Sequence, residues 1–504
     1  MTSTTRDSRL DLGAMAVPGG YFLLREVAGA PFVAGPEDGE YRHVFSYRGS
    51  EPAIRQAAVD LVRQARRKVF LASFRIGDEA LLDALFEAVD RLRGGVYVIT
   101  AWNEQSLLRG LSGLEDDAEG HVAAQRHRFE QMTRRGIFVR GNDNCHAKFL
   151  LVDDEAALVS SANLETSALV DRPERKVTGE SGLLVNDPAE AQRLARLFTR
   201  MWYAGCRWEA SPGEAYALAR REPAPSPCQP ELPTVEDRPT AIWTHDEETL
   251  ILQSLHDVID RARHELLLAT FGLRGLTKEP GLLHDRVAAA VERGVKVTLL
   301  CRARNNIPDH RDEAAALAAL GVRIIGDSLT HAKGVIADGR HGALFSANLD
   351  GDHGLTSGVE VGVRLDGLPA LTEAHRYLRH AIDHADLEFV VGPTQGQLNA
   401  RLGAEWRRPW PGPDTITLTA PDMAWDALAS IQPPVLYTRA EGTIRLHAGG
   451  GEWILAGSRL TMTTAPTQTR ETVSQMNSWW RGADRGDQRG FCPAALVRDR
   501  VTGP

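Results

Sequence analysis

The chain has 504 residues, 43% apolar and 25% charged, with a formal net charge of -9 at pH 7. This is an ordinary globular composition, long enough for about three domains, and its negative balance works against tight non-specific binding to nucleic acid or anionic lipid through bulk charge. There is no apolar run of the ~18 residues that a membrane span needs, no apolar stretch of a secretory signal at the polar N-terminus, and no Cys-x-x-Cys pair among Cys145, Cys206, Cys228, Cys301 and Cys492. These features argue against an integral membrane enzyme, a disulfide framework and a cysteine zinc site, and they predict a cytoplasmic protein.

In chain order, residues 1–50 read as an N-terminal extension and residues 51–211 as a first lobe. Ile54, Ala58, Leu61 and Ala65, spaced by three and four, predict an amphipathic helix. The apolar run Val69-Phe-Leu-Ala-Ser-Phe74 then predicts a buried strand. A second helix ends in Arg and Gly before the strand Gly95-Val-Tyr-Val-Ile, and a third strand starts at Gly136-Ile-Phe-Val-Arg. The intervening stretch Arg109 to His127, with its acidic run Glu115-Asp-Asp-Ala-Glu119, reads as a solvated loop, with an active-site wall as the alternative.

Residues 212–239 carry prolines at 212, 223, 225, 227, 230, 233 and 239 and read as an extended linker. The first pattern then returns over residues 240–393. Leu252, Leu255, Val258 and Ile259 match the first helix, Leu266-Leu-Leu-Ala-Thr-Phe271 the first strand, Gly294-Val-Lys-Val-Thr the second and Gly321-Val-Arg-Ile-Ile the third. Strands alternating with helices imply an α/β fold, two sheets each covered by helices. Residues 394–504 change character: six of the ten tryptophans lie there, Thr415 to Thr419 and Thr443 to His447 alternate as strands do, and Gly449 to Gly451 reads as a turn before Trp453. This is a small β-rich appendix. Its Trp406-Arg-Arg-Pro-Trp410 and Trp479-Trp480-Arg481 read as core or interface packing, with base stacking as the alternative and a protein partner as the reason for an interface.

Ten residues after Gly136 and after Gly321 stands a histidine, and from there the two copies agree closely. The first reads His146-Ala-Lys148, four apolar residues, Asp153, and then Ser161-Ala-Asn163. The second reads His331-Ala-Lys333, four more residues, Asp338, and then Ser346-Ala-Asn348. On a strand, His and Lys two apart face the same side.

This pattern resembles the phospholipase D superfamily, the HKD phosphodiesterases, over roughly residues 50 to 390. The sequence departs from it where the glycine before the serine is Ser160 in one copy and Phe345 in the other. The resemblance implies two lobes related by a pseudo-twofold axis, meeting at one active site that needs neither metal nor cofactor. One neutral imidazole attacks phosphorus while the opposed imidazolium protonates the leaving oxygen; by family habit His146 is the nucleophile and His331 the acid. Lys148 and Lys333 hold the non-bridging oxygens as point charges, and Ser161, Asn163, Ser346 and Asn348 bond the five-coordinate phosphorus. Glu180 and Glu360 each orient a histidine, and Asp153 and Asp338 are structural. Arg302 and Arg304, after a strand at its active-site end, are expected to touch phosphates.

Weighed against this, a lone His-x-Lys is usually a surface or core feature; the second copy with its matching Ser-x-Asn reverses that. Zinc binding by His146 and His331 is opposed by the lysine neighbours, and Cys145 reads as a packing residue. Three readings of the whole protein follow. The first is a nuclease acting on DNA or RNA, favoured by the Ser-Ala-Asn wording. The second is a phospholipase D or cardiolipin-synthase-like enzyme acting on phospholipid. The third is a non-catalytic scaffold.

Overall fold

The computed structural model describes residues 5–11, 19–36, 39–102, 127–211, 217–228, 241–351 and 353–402, and beyond these seven strands between residues 415 and 499. The chain divides into two compact units. The larger, Val27–Arg302 with Ala319–Ala385, holds both copies of the repeat.

In the first copy Val69–Ser73, Val96–Ala101 and Phe138–Asn142 run parallel. On the other side of Val69–Ser73 the sheet turns antiparallel through Phe149–Val152, Ala156–Ser160 and Glu180–Val185, and Tyr41–Ser46 closes that edge. The second copy repeats the order strand for strand. Glu265–Thr270, Lys296–Arg302 and Arg323–Asp327 run parallel; Gly334–Ala337, His341–Phe345 and Glu360–Arg364 follow antiparallel, with Ala241–His245 beside the last. The fold is thus α/β, with two lobes of matching strand order and a β-rich appendix. Within the proline-rich segment, Ala217–Arg220 pairs antiparallel with Trp208–Ser211 at the other edge of the first sheet. The acidic run at 115–119 and the tryptophan clusters at 406–410 and 479–481 lie outside the described residues.

The helices form where the apolar spacing demands. Ala53–Gln64 buries Ile54, Ala58 and Leu61 with Val62 and Ala57, and Glu79–Arg91 is N-capped by Asp78, whose carboxylate accepts from the Leu81 amide. In the second copy the buried stripe of Leu250–Arg261 starts at Ile251 rather than at Leu252. The wider apolar face of a core-facing helix admits either residue, and packing chooses. A continuous core joins the lobes: Phe45, Phe149, Val159 and Leu183 of the first pack in one cluster with Trp243, Leu344, Val361 and Tyr377 of the second.

The motif aspartates sit at the far end of this fold from the histidines. Asp153 and Asp338 have φ of 57° and 54° and open the hairpin turns after Phe149–Val152 and Gly334–Ala337. Asp tolerates this left-handed conformation. The Asp153 carboxylate accepts the amides of Arg66, Arg67 and Lys68 at 2.6 to 2.9 Å, and Asp338 accepts those of Arg263, His264 and Glu265 at 2.8 Å each. Each turn is thereby fastened to the loop between the first helix and first strand of its own copy.

The departure at Ser160 and Phe345 is resolved by the neighbouring strand. Ser160 pairs with Gly182 and Phe345 with Gly362. A Cβ on Gly182 would lie 2.6 Å from the Ser160 Cβ, and one on Gly362 would lie 2.7 Å from both the Leu344 carbonyl oxygen and the Phe345 Cβ. In both copies the small residue at this close approach stands on the neighbouring strand.

The smaller unit is Met1–Glu26, Ala303–Ala318 and Asp386–Pro504. Its eight-stranded sheet takes Thr5–Asp11 from the N-terminus between Thr415–Pro421 and Val497–Asp499, and continues through the antiparallel strands Val435–Ala440, Thr443–Ala448, Gly451–Ala456 and Arg459–Met462. Gly20–Leu24 pairs with Leu387–Val391, and the Asn305 side chain bonds both backbone groups of Phe22. Among the described residues no helix is long and apolar enough to cross a membrane.

Gly362→Ala is expected to destabilise the protein by about 1–3 kcal/mol through overpacking against backbone. Chemical denaturation measures this, and an unchanged midpoint would show that the two strands separate at no cost.

Candidate active site

His146 and His331 do not lie within strands. Each precedes one, in the extended segments that lead into Phe149–Val152 and Gly334–Ala337. The reason is that the backbone there pairs with the opposite copy. The His146 amide donates to the Val359 carbonyl at 2.9 Å, and the Val359 amide to the Asn144 carbonyl at 3.1 Å. Likewise the His331 amide donates to the Gly179 carbonyl at 2.8 Å, and the Gly179 amide to Leu329 at 3.0 Å. Val359 and Gly179 are the residues just before Glu360 and Glu180. These two short parallel bridges place each glutamate against the histidine of the other copy.

The side chains follow. His146 Nδ1 lies 2.8 Å from a Glu360 carboxylate oxygen, and His331 Nδ1 lies 2.9 Å from Glu180. The sequence identified both glutamates; the exchange between copies is a property of the fold. With Nδ1 engaged by a carboxylate, Nε2 is left for chemistry. Each carboxylate is buried and held by a serine: Ser161 donates to Glu180 at 2.6 Å and Ser346 donates to Glu360. The serines in turn accept the amides of Ser181 and Val361 at 3.1 and 3.0 Å. A hydroxyl has one proton, and in this structure Ser161 and Ser346 each give it to a glutamate.

Lys148 and Lys333 are 1% and 0% exposed, and each donates to the carbonyl of its own histidine, Lys148 at 2.5 Å and Lys333 at 2.8 Å. Burial lowers Lys148 to about 8 and Lys333 to about 7 against the pull of Glu360 and Glu180. Burial likewise lowers His331 to about 4, outweighing Glu180, and lowers His146 despite Glu360. Burial works against the Glu180 charge, yet His331, Lys333 and Ser161 together bring this carboxyl down to about 2. The Lys333 charge acts on His146 and the Lys148 charge on His331, so the two motifs form one centre. Asn163 and Asn348 each leave a buried amide oxygen without a hydrogen-bond partner.

Cys145 is buried, and burial pushes its thiol up to about 12, which suits packing and not nucleophilic work. Arg302 stands 5.7 Å from the Phe271 ring and its charge acts on Lys333; Arg304 belongs to the other compact unit. Among the described residues no group of three or more His, Cys, Asp and Glu side chains converges as a metal ion requires.

Two pairs of residues at the site were not singled out from the sequence. Phe74 lies 5.6 Å from the His146 ring and Phe271 lies 4.7 Å from His331, both edge-on. Asn142 accepts the Asn144 amide at 2.9 Å, and Asp327 accepts those of Leu329 and Thr330 at 2.7 and 2.8 Å while pairing with Arg48. The signal was present: Phe74 and Phe271 each directly follow one of two matching strands, and Asn142 and Asp327 each stand four residues before a histidine. A cleft of about 280 Å³ opens beside His146, walled by Phe74, Asp143, Asn348, Asp350, His353 and Gly358.

The sequence matches the family described as "Cardiolipin synthase, PLD-like domain" over residues 59–202 and 255–382, together more than half of the chain. No curated protein matches it. Among solved structures, it is similar to phosphatidylserine synthase of Haemophilus influenzae at 14% identity, over 75% of this chain and 90% of that one, with a TM-score of 0.48. It is similar to polyphosphate kinase of Porphyromonas gingivalis at 13% identity, over 64% and 47%, with a TM-score of 0.38. It is also similar to the phospholipase D family member Nuc of Salmonella typhimurium at 16% identity, over 34% and 97%, with a TM-score of 0.27.

An oxyanion held by the two lysines should bind more weakly as the pH rises through about 7 and then about 8, where Lys333 and Lys148 lose their protons. Titration calorimetry with tungstate, whose charge is constant over this range, is expected to show a loss of up to about tenfold per pH unit above about 7. A flat profile would mean that the lysines stay charged.

Proposed function

The chain belongs to the phospholipase D-like family, and from that premise we propose that it cuts or exchanges phosphodiester bonds in two steps through a phosphohistidine, without a metal ion. The observation that carries this is the pairing of each histidine with a buried carboxylate from the other copy, beside two buried lysines. A carboxylate at Nδ1 fixes the tautomer whose Nε2 lone pair can attack phosphorus, and it stabilises the imidazolium that must form on the partner. Lys148 and Lys333 neutralise the non-bridging oxygens, and the amide groups of Asn163 and Asn348 donate to the growing charge.

Of the two classes of substrate, the cleft favours a phospholipid-type diester. Asp143 and Asp350 are among the residues that line it. Carboxylates accept hydrogen bonds from hydroxyl or ammonium groups and repel the flanking phosphates of a nucleic acid. The family description points the same way. A nuclease acting on DNA or RNA is the second reading, favoured by Arg302 beside Lys333, where a neighbouring phosphate would find a second cation.

His146→Ala and His331→Ala are each expected to lower turnover about 10³-fold or more, with melting temperatures close to that of the parent, and activity in EDTA is expected to equal activity without it. Purified protein with EDTA is tested against phospholipid vesicles, single-stranded and duplex DNA, and RNA. Full activity in either variant, or a strict need for a divalent cation, would remove the two-histidine reading. Cleavage of nucleic acid with lipid untouched would exchange the two substrate readings.

A further inference from the structure

The two motifs share every His, Lys, Asp, Ser and Asn, yet the structure surrounds them differently. We propose that the histidines have fixed and unequal roles, with His331 the nucleophile and His146 the acid and base, the reverse of the order that the resemblance implies. This rests on the two-histidine reading above and adds to it which ring carries the phosphoryl group.

The first observation is access. The His146 side chain is 27% exposed and the His331 side chain 13%. The cleft of about 280 Å³ is lined by His146 and its Glu360, and His331 is not among its walls. A nucleophile needs to reach only phosphorus. The acid and base must first meet the leaving alcohol and then the incoming water or alcohol, so it belongs where these groups enter and depart.

The second observation is the packing over each ring. Phe271 lies 4.7 Å from His331 and is itself flanked by Arg302 at 5.7 Å and Lys333 at 5.6 Å. Phe74, its counterpart, is 36% exposed at the cleft.

The third is in the carboxylates. Glu180 accepts the Thr178 hydroxyl at 2.8 Å in addition to Ser161 and His331. In the other copy the residue two before the glutamate is Gly358, which lines the cleft. The extra donor satisfies part of the Glu180 charge and weakens its hold on a proton at His331, while the missing side chain at Gly358 leaves room beside His146. Burial lowers His331 to about 4, which agrees with a neutral ring at the start of the cycle.

The steps balance. The Nε2 lone pair of neutral His331 forms a P–N bond as the P–O bond to the leaving alcohol breaks. The electron pair of that bond goes to the oxygen, which takes the Nε2 proton of His146. An incoming water or alcohol then gives its proton to His146 and bonds phosphorus, and the P–N electron pair returns to His331.

The test uses the full chain and a radiolabelled p-nitrophenyl phosphodiester, whose leaving group needs no acid. His146→Ala and His146→Gln should each release about one p-nitrophenolate per chain and retain an acid-labile label on the peptide containing His331; His331→Ala should give neither burst nor label. Rapid quenching of the parent protein, which no folding defect affects, should place the label on the same peptide. Label on the peptide containing His146, in the parent or in His331→Ala, would overturn the assignment while leaving the two-histidine reading intact. Turnover of the diester by the parent with no label on any histidine would remove both.

Discussion

The exchange of glutamates between the two copies is the interaction on which the site depends. Glu360 sits on His146 and Glu180 on His331 because the residue before each glutamate bridges to the chain beside the opposite histidine. Neither copy can assemble a histidine with its carboxylate alone. The apolar cluster that joins the lobes, from Phe45 and Leu183 to Trp243 and Tyr377, therefore does more than bury surface. It holds the two lobes so that each glutamate meets the histidine of the other copy.

The same enclosure sets the electrostatics. Two lysines with almost no exposure, two buried carboxylates and two histidines are gathered in one place. Hydration is lost by all of them, and the lysines and histidines move toward their neutral forms as a result. The carboxylates stay ionised because cations and hydroxyls surround them. Such a cluster contributes little stability by itself, because the lost hydration of its charges offsets the attraction between carboxylates and lysines.

The motif divides into parts with separate physical roles. Histidine and lysine meet at the shared centre, where each lysine donates to the carbonyl of its own histidine. Serine holds the carboxylate of its own copy, which serves the histidine of the other. Aspartate works at the far end of the strand, where three backbone amides and a left-handed turn fix the hairpin from which the serine segment returns. Spacing between the aspartate and the serine is constant because the hairpin is. The residue before the serine is free to change from Ser160 to Phe345 because Gly182 and Gly362 make the close approach from the neighbouring strand.

How much of this was legible in the sequence follows from what is local. Apolar runs such as Val69–Ser73 and Glu265–Thr270, the glycines that stop helices, and the repetition of His-x-Lys with Ser-x-Asn are short-range patterns, and they determined the α/β class, the duplication and the identity of the central residues. Tertiary structure alone decided which glutamate serves which histidine, since Glu360 and His146 lie 214 positions apart. It also decided that the histidines stand outside the strands, that the serines face carboxylates, and that His146 opens on a cleft while His331 is less exposed. Side-chain spacing fixes what one segment can present to its neighbours, but a contact between two half-sites exists only once the lobes have packed and the backbone of each has found its hydrogen-bond partners in the other.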